Sequence, residues 1–260
     1  MTIETTASHN LEAVPPCCPK VSVVTVTYNC ARMLEATMRS VLEQTYSNIE
    51  YVLIDGESTD GTVSIIQRYE SRLAYWISEP DGGVFDAMNK AFPCLTGEWV
   101  VFMNAGDEFA DEAVVERMMQ TPWDSRVGAV HGTTLIDTPS GRRVMPESIP
   151  FYETTRRFRA MGFCHQSVFV RRMAIGDIRF DLSFRIAADY KMLDTMWREG
   201  WQFRRVDWPV AVIDTTGLSA QNRSLQRKEA ARISGCEKEL CFRIWTRYKS
   251  LRAGVKRLIT

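Results

Sequence analysis

From Val21 to Met103 the chain alternates, roughly every twenty residues, between strand-length apolar runs and stretches with apolar residues at helical spacing. Few architectures admit that rhythm. Val21–Thr27 is a β-branched run, followed over Ala31–Gln44 by Leu34, Met38, Val41 and Leu42 on one helical face. Ile49–Asp55 predicts a second buried strand, and Gly61–Tyr69 a helix through Val63, Ile65, Ile66 and Tyr69, with Ser58 or Asp60 as its cap. A third strand is expected at Ala74–Ser78, a helix at Val84–Phe92 and a fourth strand at Glu98–Met103. Strands separated by helices require a mostly parallel, doubly wound sheet covered on both faces, an α/β fold with a Rossmann-like N-terminal half.

Beyond Phe109 the pattern loosens. Asp111–Gln120 reads as a helix, Val127–Asp137 and Arg142–Met145 as a hairpin, Gln166–Arg171 as a strand, and Ala187–Glu199 as a helix ended by Gly200. From Leu240 the apolar positions Leu240, Ile244, Tyr248, Leu251, Val255 and Leu258 predict an amphipathic helix with a basic far side. The expected organisation is a flexible N-terminus over 1–20, a domain over 21–220 in two halves, 21–109 and 110–220, and a basic helical segment over 221–260.

Composition narrows the class. Forty-five per cent hydrophobic and 25% charged residues suit a soluble chain with a real core, and 32 basic against 32 acidic residues leave no overall nucleic-acid footprint. The balance conceals a division: residues 223–260 hold eleven basic and three acidic residues, so the remainder is acidic. Seven scattered cysteines, an odd number without a CxxC pair, predict reduced thiols and argue against zinc. The polar start lacks a signal-peptide pattern, and no apolar run approaches the roughly 20 residues of a membrane span, so a cytoplasmic location is expected.

In an open parallel sheet, ligands bind where strands end at their carboxyl edge. The first strand ends in Thr27-Tyr28-Asn29, the second in Asp55-Gly56-Glu57-Ser58-Thr59-Asp60, the third in Glu79-Pro80-Asp81-Gly82-Gly83 and the fourth in Asn104-Ala105-Gly106-Asp107-Glu108. Neither GxGxxG nor GxxxxGK[ST] is present. Carboxylates facing a phosphate-bearing ligand repel it unless a divalent cation, Mn²⁺ or Mg²⁺, stands between them, so the strand ends predict a metal-bridged nucleotide site.

These segments carry a resemblance. Val21–Asn29, Asp55-Gly-Glu-Ser-Thr-Asp-Gly61, Pro80-Asp-Gly-Gly-Val-Phe-Asp-Ala-Met-Asn-Lys90 and Asn104-Ala-Gly-Asp107, then His165-Gln-Ser-Val-Phe and Ala188-Asp189-Tyr190, resemble glycosyltransferase family 2 in order and spacing. The resemblance covers about 21–220 and is closest to bacterial members that assemble exopolysaccharide, capsule and O-antigen. It implies the GT-A fold, a catalytic domain with a nucleotide-binding half over 21–109 and an acceptor half over 110–220, and an inverting transfer from a nucleotide-diphosphate sugar to a saccharide or polyprenyl-linked glycan. Thr27, Tyr28 and Asp55 match positions that hold the nucleoside, and Asn29 and Glu57 flank them. Asp81, Asp86, Lys90 and Asn104 extend the donor site, with Lys90 the cation near the diphosphate. Asp107 matches the metal-binding carboxylate, although Asn-Ala-Gly-Asp replaces paired aspartates. Asp189 matches the catalytic base, although Ala188 stands where many members carry Glu. His165 and Arg157, in a basic run with Arg156 and Arg159, are expected to face the acceptor.

Plainer roles compete at several positions. Asp55, Asp60 and Asp107 suit turns and helix caps, Asp86 and Asn89 could orient a loop, and Asp189 suits a helix N-terminus. A non-catalytic nucleotide-sugar-binding subunit fits the same strand ends. A nucleotidyltransferase fits less well, because Tyr28-Asn-Cys-Ala31 is neither basic nor Gly-rich. The C-terminal helix either packs on the domain or lies on an anionic membrane surface through Trp245, Tyr248 and its basic side.

Overall fold

The β-branched run Val21–Thr27 is buried along its whole length as strand β1, and its alternate residues enter different layers. Val21 and Val23 join one apolar cluster, Val24 and Val26 the other. Burial on both faces is what a central strand of a doubly wound sheet requires. The computed structural model describes residues 18–138, 141–155, 158–214 and 222–237. In chain order these form β1, α1 (Ala31–Leu42), β2 (Ile49–Asp55), α2 (Thr62–Tyr69), β3 (Tyr75–Ser78), α3 (Val84–Ala91), β4 (Trp99–Phe102) and β5 (Glu108–Phe109). Then come α4 (Val114–Gln120), β6 (Val127–Ile136), β7 (Arg143–Val144), β8 (Val168–Arg171), α5 (Arg172–Ile175), α6 (Ala188–Arg198), β9 (Gln202–Ile213) and α7 (Arg223–Ile233).

The sheet order is β3-β2-β1-β4-β8-β6-β9-β5, with β7 paired to β6. β1, β2, β3, β4, β6 and β9 run one way, and β5, β7 and β8 run against them. Helices α1 and α2 cover one face through Leu34, Met38 and Ile66, while α3 and α6 cover the other through Phe85, Met88, Met192 and Leu193.

Local chemistry explains the element ends. Asp60 accepts from the backbone N–H of Ala31 and of Thr62, so one side chain caps α1 and α2 together. The α4 helix starts at Val114 rather than Asp111 because Asp111 turns back to accept from Ala113 N–H. Gly200, at φ +95°, terminates α6 as expected.

The pattern missed two larger elements. β9 is twelve residues long, yet its exposed Arg204, Arg205 and Asp207 and its Pro209 hide the alternation, and the β6–β9 register shifts around Thr133. α7 is rich in Arg and lacks a broad apolar stripe, yet its Glu229 is buried and accepts from the backbone N–H groups of Arg185, Ile186 and Ala187, each at 2.9 Å. Residues 223–233 therefore pack on the first turn of α6. The stripe expected from Leu240 lies outside the described residues, as do the N-terminal segment through residue 17 and Arg156 and Arg157.

Glu229→Ala strands three N–H groups at the start of α6. It is expected to cost about 2–4 kcal/mol, seen as a lower urea midpoint with an unchanged slope.

Candidate functional site

The carboxyl ends of β1 and β2 are tied together by polar side chains. Asp55, fully buried, accepts from Ser58 N–H and from the hydroxyls of Ser58 and Ser78. Ser58 Oγ in turn accepts from Asn29 N–H, and Asn29 Oδ1 accepts from Thr59 N–H. Asn29 and Glu57 adopt left-handed backbone, φ +48° and +63°, an unfavourable state for side-chain-bearing residues that these bonds hold in place. Tyr28 remains 64% exposed at the rim. A Cβ on Gly56 would lie 2.5 Å from Asp81 Oδ2 and 3.3 Å from Tyr28 Cδ2, so the bare backbone at 56 lets ring and carboxylate close over one spot.

The loop after β3 is organised by its own acids. Asp81 accepts from Gly83 N–H and Asp86 from Gly82 N–H. Lys90 pairs with Glu79 at 2.8 Å and donates to the Pro80 carbonyl. Glu79, and then Asp86 and Asp81, raise its pKa further. Asn89 grips the Phe180 backbone through both its amide atoms, a scaffolding role.

After β4, Asn104–Asp107 forms a tight turn closed by Asp107 N–H to Asn104 O, with Gly106 at φ +101°. Asp107 is 6% exposed; its Oδ2 accepts from Gln166 Nε2 at 2.8 Å and its Oδ1 from Asp214 N–H at 3.2 Å. Burial pushes this carboxyl from 3.8 up to about 6, opposed by Gln166, by the neighbouring His165 and by the Asp214 N–H, and reinforced by the Asp214 carboxylate.

Asp189 lies in the first turn of α6, 8% exposed, with Oδ1 accepting from Tyr190 N–H at 2.7 Å. His165 Nδ1 lies 3.0 Å from Asp189 Oδ2, and His165 Nε2 lies 3.1 Å from Asn104 Nδ2. Asn104, His165 and Asp189 thus form a continuous chain from the β4 turn to the α6 terminus. Two buried atoms at strand ends, Thr27 Oγ1 and Asn104 Oδ1, have no hydrogen-bond partner among the described residues. Buried polar atoms are almost always paired, so this edge has capacity for a polar ligand.

The structure gathers Thr27, Tyr28, Asn29, Asp55, Glu57 and Asp81 at one part of the edge and Asn104, Asp107, His165 and Asp189 at another. Arg159, from the basic run expected to be solvated or to face acceptor, is turned inward onto Asp194 and the Trp197 ring. The neighbouring Arg157 lies outside the described residues. Sequence reasoning gave no role to Gln166, which stood inside a quoted motif, or to Asp214, which ends the unrecognised β9. Applying the strand-end rule to the apolar run Val210–Ile213 would have found Asp214. Among the described residues no group of three or more His, Cys, Asp or Glu side chains gathers as a metal cage. No described helix is long and apolar enough to cross a membrane.

Solved structures share this architecture, the GT-A fold. S. aureus TarS in complex with UDP-GlcNAc matches with a TM-score of 0.67 at 17% identity, over 84% of this chain and 66% of that one. The mannosyltransferase PcManGT from Pyrobaculum calidifontis, in complex with GDP-Man and Mn²⁺, matches at 0.62 and 20% identity, over 83% of this chain and 63% of that one. The chain thus spans just under two thirds of these solved relatives. A family model described as glycosyl transferase family 2 matches residues 22–178, and the chain belongs to that family. It is a glycosyltransferase. An uncharacterized glycosyltransferase of Mycobacterium tuberculosis (strain CDC 1551 / Oshkosh) is 34% identical over 180 residues, 67% of this chain and 68% of its own. A PGL/p-HBAD biosynthesis glycosyltransferase of Mycobacterium bovis (strain BCG / Pasteur 1173P2) is 29% identical over 177 residues, 66% of this chain and 67% of its own.

An acid whose folded pKa exceeds its unfolded value binds extra protons when folded, so ionising Asp107 costs stability as pH climbs from about 4 to about 6. Asp107→Asn is expected to remove that slope and to raise stability at neutral pH by about 1–3 kcal/mol. Urea unfolding in EDTA at pH 4.5 and pH 7 measures both.

Proposed function

We propose that this chain moves one sugar from a nucleotide-diphosphate donor to a saccharide acceptor with inversion, in the assembly of a bacterial surface polysaccharide. The observation that carries the reading is Asp189, a nearly buried carboxylate at a helix N-terminus, joined through His165 to the turn that bears Asp107. Inversion needs a single displacement. The acceptor oxygen bonds to the anomeric carbon, the nucleotide diphosphate leaves from the opposite face, and the hydroxyl proton passes to a carboxylate on the acceptor side. Asp189 is assigned as that base.

On the donor side, Tyr28 offers an exposed ring for the base, while Asp55, Asp81 and the free hydroxyl oxygen of Thr27 are the polar partners for base and ribose. Lys90 reaches the diphosphate only by leaving Glu79. The chemistry of the donor set fits a divalent cation: Asp107 is nearly buried and held protonation-prone beside the Asp214 carboxylate, hard oxygen ligands of the kind Mn²⁺ and Mg²⁺ take. When bound, such a cation neutralises charge on the leaving diphosphate. Asp107 would hold it, with the remaining positions left to phosphate and water oxygens.

The acceptor we assign is a lipid-linked saccharide met at the inner face of the plasma membrane, because residues 223–260 are strongly basic. Deleting residues 238–260 removes seven of the eleven basic residues and is expected to weaken sedimentation with anionic vesicles strongly while leaving nucleotide binding intact. Sedimentation unchanged by the deletion removes this part of the reading.

Asp189→Asn is expected to lower turnover about 10²–10⁴-fold with the Mn²⁺-dependent thermal shift by UDP or GDP preserved. Wild-type protein that binds nucleotide sugar yet releases no sugar, with Mn²⁺ or with EDTA, would instead identify a binding subunit.

A further inference from the structure

Between the proposed base and the acidic turn lie His165, expected only to face the acceptor, and Gln166, given no role, and their arrangement supplies a more specific part. His165 and Gln166 lie in a single 3-10 turn, His165–Ser167, immediately before β8. The turn is anchored by Ser167 Oγ against Thr134 Oγ1 at 2.7 Å in the core. Its two leading side chains diverge onto two sites: Gln166 Nε2 donates to Asp107 Oδ2, and His165 Nδ1 meets Asp189 Oδ2. The second ring nitrogen, Nε2, faces the Asn104 amide nitrogen, which can only donate. That contact leaves Nε2 as an acceptor and places the ring proton on Nδ1, where it points at the carboxylate.

We propose that His165 is a positioning residue for Asp189: Asn104 selects its Nδ1–H tautomer, and that N–H fixes the rotamer of the base. The inference rests on Asp189 being the base. Asp189 Oδ1 is held by its own helix terminus and Oδ2 by His165, so the carboxylate has a single orientation toward an incoming hydroxyl. Because Gln166 of the same turn holds Asp107, the base and the acidic turn that faces the donor keep one register. A misplacement of about 1 Å between reacting groups costs on the order of 10²-fold in rate, which sets the scale of the effect.

The test uses the full chain with UDP-GlcNAc and with GDP-mannose, each with Mn²⁺, following nucleotide release. His165→Ala is expected to lower kcat about 10–100-fold with donor KM unchanged. His165→Asn, whose amide nitrogen falls where Nδ1 stood, is expected to recover most of that loss. His165→Gln, whose nitrogen falls at the Nε2 position, is expected to recover none. In the Asp189→Asn background, His165→Ala should add no further loss, since it acts through the missing base. Unchanged kcat in His165→Ala, or equal losses in the Asn and Gln variants, would overturn the proposal, as would a loss confined to KM. An Asp189→Asn protein with full turnover would overturn the base itself, a separate result. Independently of turnover, ¹⁵N spectra of the imidazole should show a protonated Nδ1 and a bare Nε2 at neutral pH, with Asn104→Ala releasing that preference. A dominant Nε2–H form in the wild type refutes the assignment.

Discussion

The site depends on one short seam, the antiparallel pairing of β8 with β4. Only Trp99 with Arg171 and Val100 with Val170 are in register there, yet this seam joins the parallel N-terminal strands to the second half of the sheet. Because β8 runs backwards, its beginning rather than its end lies at the carboxyl edge of β4. That reversal delivers the His165–Ser167 turn to Asn104 and Asp107. The seam is reinforced well beyond its two pairs. Arg171 stacks 4.5 Å over Trp99, donates to the Val127 carbonyl at 2.9 Å and pairs with Glu98, while Arg172 donates to the Gly97 carbonyl at 2.7 Å. A guanidinium with several donors in a fixed plane suits a junction where three chain segments meet.

The many acidic residues at the carboxyl edge divide according to how completely they are satisfied. Asp55 is fully buried but surrounded by three donors, and Asp60 is consumed by capping two helices. Both behave as scaffold, whatever else they touch. Asp107 is different, because its two donors do not offset its burial and a second carboxylate lies close by. A carboxyl kept at such a cost without compensation is the usual mark of a group that waits for a charged partner. The plain reading of strand-end aspartates as turn and cap residues therefore describes Asp60, whereas Asp107 is the one on which the proposed metal role rests.

How much of this was legible in the sequence follows from the same geometry. The strand–helix alternation through β4 could be read because β1, β2 and β4 are buried on both faces and each helix has one apolar stripe. β9 escaped because it lies near the sheet's far edge, carries arginines on exposed positions and tolerates Pro209 beside a register shift. Losing β9 meant losing Asp214. The strand-end rule singled out Asn104 and Asp107, but it assumes that strands arrive at the carboxyl edge in one direction. A reversed strand contributes its preceding turn, which no local pattern announces, so Gln166 went without a role and the contact of His165 with Asp189 was not foreseen.

The charge division also changes meaning once α7 is placed. The basic C-terminal stretch has only three acidic residues to offset it, and one of them, Glu229, is buried against the first turn of α6. Its charge is spent on backbone N–H groups and is shielded from the surface, while Arg223, Arg227, Lys228 and Arg232 of the same helix are exposed. The surface presented by α7 is therefore more basic than the residue count implies. The same helix supports the terminus that carries Asp189. One buried carboxylate thus ties the basic surface of α7 to residues 185–187, directly ahead of the helix turn that bears Asp189.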